Sequence, residues 1–290
     1  MRTRTLLLLA VVVVLAGTLA LAGCAGGTVS SSTQTVQTST SQPQTTTSSA
    51  GTTTSSAGST TSTLGTTIST ESPADLAADL ASPAQQVLQA VYSSVVNIAV
   101  TATIRGQTGT GIGSGVVYTS DGLILTNDHV VTLDGAVTSG QSIVVTFSDG
   151  SQIGATIMGE DAVHDIAAIK VDKTGLNPIE FATTGPMALG EWAIVIGSPL
   201  DFRNSVTLGI VSGLDRSLVT GSGQPPLTGL VQIDSAISPG NSGGGCFDTR
   251  GQFIGMPEIY LPPGQTGAEN IGFAIPAMVV HSVAIALTGR

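Results

Sequence analysis

An all-β domain, either a sandwich or a barrel, is predicted for the C-terminal two-thirds of this 290-residue chain, and three observations predict it. Short β-branched runs recur between turns of the Ser-Asp-Gly type, the pattern of a multi-stranded antiparallel domain. The composition holds 37 glycines and 41% hydrophobic residues but only 3% aromatics, which suits strands and turns better than a helix bundle. Nothing between Arg4 and Glu71 carries a charge, so the chain is a tail plus a domain. Periodicity alone does not choose between sandwich and barrel, nor divide the domain in two.

The tail has three parts. Arg2 and Arg4 precede an unbroken apolar run, the pattern of a secretory signal over residues 1–23. The run ends in Leu21-Ala22-Gly23-Cys24, which resembles a bacterial lipobox and makes Cys24 a lipidation candidate. The competing reading is an uncleaved anchor, since the stretch sits at the bottom of the ~17–25-residue range for a membrane span. Both readings place the remaining chain outside the cytoplasm, tethered to a bacterial membrane. Residues 24–84 form a linker that is two-thirds Ser and Thr over 28–72. Such a segment buries too little apolar surface to offset its ordering entropy, and as a coil its ends lie about 35–40 Å apart.

Residues 85–290 are the folded domain, introduced by an amphipathic helix over 84–92. Strands are expected at 95–100, 115–118 and 123–126, the last two joined by Thr119-Ser120-Asp121-Gly122. A second hairpin pairs 143–147 with 152–158, and further strands follow at 166–171, 193–196, 206–212, 230–233, 253–256 and 270–275. Pro276 opens a terminal helix that Gly289 closes. With a net charge of −10, no basic patch for nucleic acid can be built. Two cysteines exclude a multi-disulfide scaffold.

Three residues suggest nucleophilic catalysis. His129 is expected to close a strand in Leu-Thr-Asn-Asp-His-Val-Val, Asp165 to open one in His-Asp-Ile-Ala-Ala-Ile-Lys, and Ser242 lies in Ser-Pro-Gly-Asn-Ser-Gly-Gly-Gly. A serine hydroxyl needs a base to accept its proton, and the base needs an acid to fix its tautomer. Glycines beside a serine let successive N–H groups turn toward one oxyanion. In an extended strand, His164 and Asp128 would face away from their neighbours Asp165 and His129.

In GSGVVYTSDGLILTNDHVV, DIAAIKV, LGEWAIVIGSPLDFRNSVTLGIVSGLDR, QIDSAISPGNSGG and NIGFAIP, the domain resembles HtrA/Deg-type serine proteases over about 87–287. The resemblance implies two six-stranded antiparallel β-barrels of the chymotrypsin-like kind, a short C-terminal helix, and a site in the cleft between the barrels. It assigns His129 as general base, Asp165 as its orienting carboxylate and Ser242 as nucleophile. Backbone N–H groups at Gly240 and Ser242, with Asn241 between them, would form the oxyanion hole. Ile237 would line the primary specificity pocket and select small aliphatic residues before the scissile bond. No metal and no cofactor is implied. Substrates would be polypeptides, unfolded or exported, and a homotrimer is one oligomeric option, with Tyr92 as its aromatic candidate.

The sequence departs from the family where Gly245 and Cys246 follow the Gly-Asn-Ser-Gly-Gly stretch in place of Pro and an aliphatic residue. Cys246 reads as a small buried hydrophobe. The end at Arg290 leads to the expectation that no PDZ domain follows. A proteolytically silent scaffold or holdase of the same fold is the main alternative, and a narrow-specificity secreted protease, such as a Glu-specific one, is the third reading.

Overall fold

The computed structural model describes residues 82–182, 187–197, 205–219, 225–260 and 270–290. The expected signal, Cys24 and nearly all of the linker lie outside the described residues. Among the described residues, no helix is long and apolar enough to cross a membrane.

Helix α1 (Pro83–Val91) opens on Ser82, whose hydroxyl accepts the Gln85 N–H, with proline at the first helical position where no N–H is needed. Six strands then close a barrel: β1 (Val95–Ile104), β2 (Gln107–Val117), β3 (Leu123–Thr126), β4 (Ser142–Thr146), β5 (Gln152–Asp161) and β6 (Ile166–Val171), in the order β1-β2-β3-β6-β5-β4. The second half contains β7 (Glu180–Phe181), β8 (Trp192–Gly197), β9 (Ser205–Leu218), β10 (Leu227–Ile233), β11 (Gly245–Phe247), β12 (Gln252–Tyr260) and β13 (Gly272–Pro276). Strands β11-β8-β9-β10-β13-β12 close a second six-stranded barrel through the β11–β12 pairing, and β7 adds a short parallel edge on β12. The fold is therefore the two-barrel, chymotrypsin-like one. Helix α3 (Ala277–Thr288) ends it, with Gly289 at φ 71 as a left-handed cap.

Alternation along the strands explains why they read as almost continuous apolar runs. Val96, Ile98, Val117 and Ile124 fill the first barrel, and Ala193, Val195, Val231 and Cys246 fill the second. Their neighbours Val95, Val116, Leu125, Ile194, Ile196 and Phe247 point the other way. They join a third cluster, which also takes in Val87 and Val91 of α1 and Val280 and Ala284 of α3. Strands buried on both faces need no polar alternate. Burial, then the nearby Asp248 charge, pushes the Cys246 thiol up to about 12, so it stays protonated and inert.

Several elements differ from the sequence reading. β2 begins at Gln107 because Arg105 (φ 52) and Gly106 (φ 81) make a tight left-handed turn between paired Ile104 and Gln107. His129 does not close a strand: β3 stops at Thr126, and His129 sits in a short helix, α2 (Asp128–Thr132), with Asn127 as its extended N-cap. Asp165 is not extended either. Its φ of 54 puts it in the left-handed region just before β6, so strand alternation does not govern His164. That histidine is exposed, with Nδ1 2.8 Å from Asp161 Oδ2. His281 lies on α3 and packs its ring 4.7 Å from that of Phe181.

Candidate active site

Asp165 grips His129 twice. One carboxylate oxygen, Oδ1, accepts the His129 backbone N–H at 2.8 Å, and the other lies 2.7 Å from Nδ1 of the ring. The second contact places the ring hydrogen on Nδ1, leaving Nε2 as the acceptor. The left-handed turn at Asp165 aims its side chain back at α2, while its carbonyl accepts Asn127 Nδ2 at 2.9 Å. The His129 side chain keeps 30% of its exposure and Asp165 only 13%.

The electrostatics follow from that clasp. Desolvation pushes the His129 imidazolium's pKa down, but the Asp165 charge and hydrogen bond outweigh it, and the net shift is upward. Desolvation likewise raises Asp165, yet the facing imidazolium and the hydrogen bonds its carboxylate accepts, those from His129 among them, hold its pKa below the ordinary carboxylate value. Asp128, in the first turn of α2, is pushed up to about 6 by burial and then by the charges of Asp165 and Glu160.

Ser242 comes from the second barrel. Ser238-Pro239-Gly240-Asn241 has the residue signature of a type II turn, with Gly240 at φ 100 and the Asn241 N–H donating to Ser238 O at 3.0 Å. Strand β2 anchors this loop across the barrel interface. Buried Ser114 donates from Oγ to Gly240 O (2.6 Å) and from its backbone N–H to Ser242 O (2.9 Å), and its own carbonyl accepts Thr126 Oγ1 (2.7 Å). Those contacts engage the loop's carbonyls. Among the described residues, no acceptor takes the N–H of Gly240 or Ser242. Gly243 adopts φ 81, and a Cβ there would lie 2.3 Å from Ser114 O.

One sequence-expected contact is not formed. Ser242 Oγ donates to the backbone carbonyl of Glu258 at 3.0 Å, and no Ser242–His129 hydrogen bond is made among the described residues. Ile237 is buried in the second-barrel cluster, where a Cβ on Gly272 would come 2.7 Å from its Cδ1. Glu258 is the residue that sequence reasoning missed. Its side chain is buried on β12, and Oε2 accepts Asn127 Nδ2 at 2.8 Å and lies 3.8 Å from His129 Nδ1. The available signal was a carboxylate inside the apolar run Phe-Ile-Gly-Met-Pro-Glu-Ile-Tyr. Ligand atoms of His129, Asp165 and Glu258 gather within 4.8 Å. The 2.7 Å between Nδ1 and Oδ2 is hydrogen-bond spacing, tighter than two atoms each ~2.0–2.2 Å from one metal ion adopt.

Two barrels that bring a carboxylate-held histidine and a glycine-flanked serine to their interface define the trypsin-like peptidase class. Residues 113–256 match the family described as trypsin-like peptidase domain. The chain is 40% identical over 174 residues to a Synechocystis protein named as a serine protease, HhoB, covering 60% of this chain and 39% of that one. It is 38% identical over 173 residues to a DegP-like periplasmic serine endoprotease of Ectopseudomonas mendocina (59% and 34%). With a second Synechocystis protein so named, HhoA, it is 39% identical over 168 residues (57% and 40%). Residues 113–256 thus match a trypsin-like peptidase domain, and the chain is homologous to these HhoB, HhoA and DegP-like serine proteases while spanning under half of their length.

Proposed function

We propose that this chain is an extracytoplasmic serine endopeptidase of the HtrA/Deg type, cleaving unfolded or exported polypeptides after small aliphatic residues. The observation that carries the proposal is the double grip of Asp165 on His129, which fixes Nδ1–H and leaves Nε2 as a base. In the reaction Ser242 Oγ turns from Glu258 O to His129 Nε2, loses its proton there and attacks the substrate carbonyl. Gly240 and Ser242 N–H groups, with Asn241 between them, receive the oxyanion. His129 then protonates the leaving amine, and water activated through His129 releases the acyl group from Ser242. Ile237, at the apolar wall of the second barrel, would favour Val, Ile or Ala before the cut.

The relative named as periplasmic and the signal-like N-terminus support export. We assign residues 1–23 as signal, 24–84 as a linker with Cys24 lipid-anchored at the membrane, and 85–290 as the protease domain. A homotrimer through Tyr92, which is 40% exposed, belongs to the same proposal. A silent holdase is the second reading, favoured by one observation: the Ser242 hydroxyl rests on Glu258 O and not on His129. Incubation with unfolded casein beside Ser242→Ala separates them. The proposal expects serine-dependent cuts after Val, Ile or Ala, with the variant about 10⁶-fold slower. A holdase leaves casein intact and suppresses its aggregation equally in both proteins.

A further inference from the structure

We propose that Glu258 is a positioning residue that lies behind the His129–Asp165 pair as a proton-bearing acid, donating to the Asp165 carboxylate. This inference rests on the proposed role of His129 as the base. Glu258 comes from β12 of the second barrel, whereas Asn127, His129 and Asp165 belong to the first, so its carboxyl crosses the barrel interface. The residue is only 7% exposed. Oε2 takes the Asn127 amide at 2.8 Å, and the ligand atoms of Glu258, Asp165 and His129 lie within 4.8 Å of one another.

Two carboxyl groups this close in one buried site do not both ionise readily, so one carries the proton. The donors decide which. Asp165 already receives the His129 N–H and ring Nδ1–H, both of which favour its charged form. Glu258 receives one neutral amide and faces a negative neighbour, so the proton resides on Glu258. Burial, then the Asp165 charge, raises its pKa well above the ordinary value in the same sense. The other ionisable groups bearing on it are His129 and Asp134, while Asp128 bears on His129 and Asp165 from α2. The same residue's backbone carbonyl holds the Ser242 hydroxyl, so one position fixes the rear of the base and the resting place of the nucleophile.

Glu258→Gln and Glu258→Ala in the full-length chain test this, read by ¹⁵N-histidine NMR titration of His129 and by the pH profile of fluorescent casein cleavage. Glutamine mimics the neutral acid: the His129 pKa is expected within about 0.3 unit of wild type, with a superimposable acid limb of kcat/KM. Alanine removes the donor, and kcat is expected to fall about 10-fold or more at little-changed KM. A His129 pKa at least about one unit lower in Glu258→Gln would mean that Glu258 is charged and would overturn the proposal, as would unchanged kcat in Glu258→Ala. If Glu258→Ala does not fold, Glu258→Gln alone decides. If wild type fails to cleave casein, the protease reading fails, while the titration still decides the protonation of Glu258.

Discussion

Asp165 holds both the backbone and the ring of His129, and this sets the pH dependence of the proposed base. The imidazolium, stabilised by the facing carboxylate, keeps its proton to higher pH than a free histidine, whose pKa is about 6.5. Nε2 is available only above the raised value, so activity is lost as pH falls through it. From the sequence alone, a rise through roughly pH 6–7.5 is expected; the clasp moves that limb upward. We expect a midpoint of kcat/KM above about pH 7, measured between pH 5 and 10 on casein. A midpoint at or below 6.5 would mean that the clasp does not persist in solution. Glu258 shows the limit of reading residues one at a time. A glutamate in a strand ordinarily marks the solvent face, and only the second barrel's approach to Asn127 turns this one inward.

At the scale of elements, strands bounded by turn residues were legible and those made by tertiary context were not. Leu123–Thr126 and Ile166–Val171 have the limits expected from sequence, because β-branched runs stop there at Gly, Asn and Asp. Gln107–Gly113 lacks an apolar face and pairs only because β1 offers a backbone edge, and Gly245–Phe247 is too short to show a period. α2 reads as strand because Val130 and Val131 are β-branched, yet Asn127 and Asp128 suit a helix start. The loop of Ser242 depends on close approach: Gly243 needs both its left-handed φ and the missing Cβ. Gly243→Ala is expected to destabilise the domain by about 1–3 kcal/mol and to reduce Ser242-dependent cleavage, as measured by thermal unfolding and casein turnover. Unchanged unfolding would show that β2 does not pack against the loop as described.

Across the whole molecule, the two barrels share one cluster, and α1 and α3 are built into it. The domain therefore starts with α1 and not with β1. Val87→Ala and Val91→Ala should each lower stability by up to about 1.5–3 kcal/mol, the value of burying a valine, in denaturant titrations. Insensitivity at both positions would mean that α1 is not docked. The leader and linker proposed for the tail are read from charge and apolar content alone. The two-barrel architecture was not legible in the strand pattern, because alternation fixes which face of a strand is buried but not which strands close on each other. It entered through resemblance.

The central claim is that Ser242 is a nucleophile activated by the Asp165-held His129. Its most direct test is covalent labelling of the folded, full-length chain with a fluorophosphonate, located by peptide mass spectrometry. The account predicts a single adduct on Ser242, absent from Ser242→Ala and at least about 10³-fold slower in His129→Ala. No adduct on a folded wild-type chain, or labelling at equal rate without His129, would contradict it.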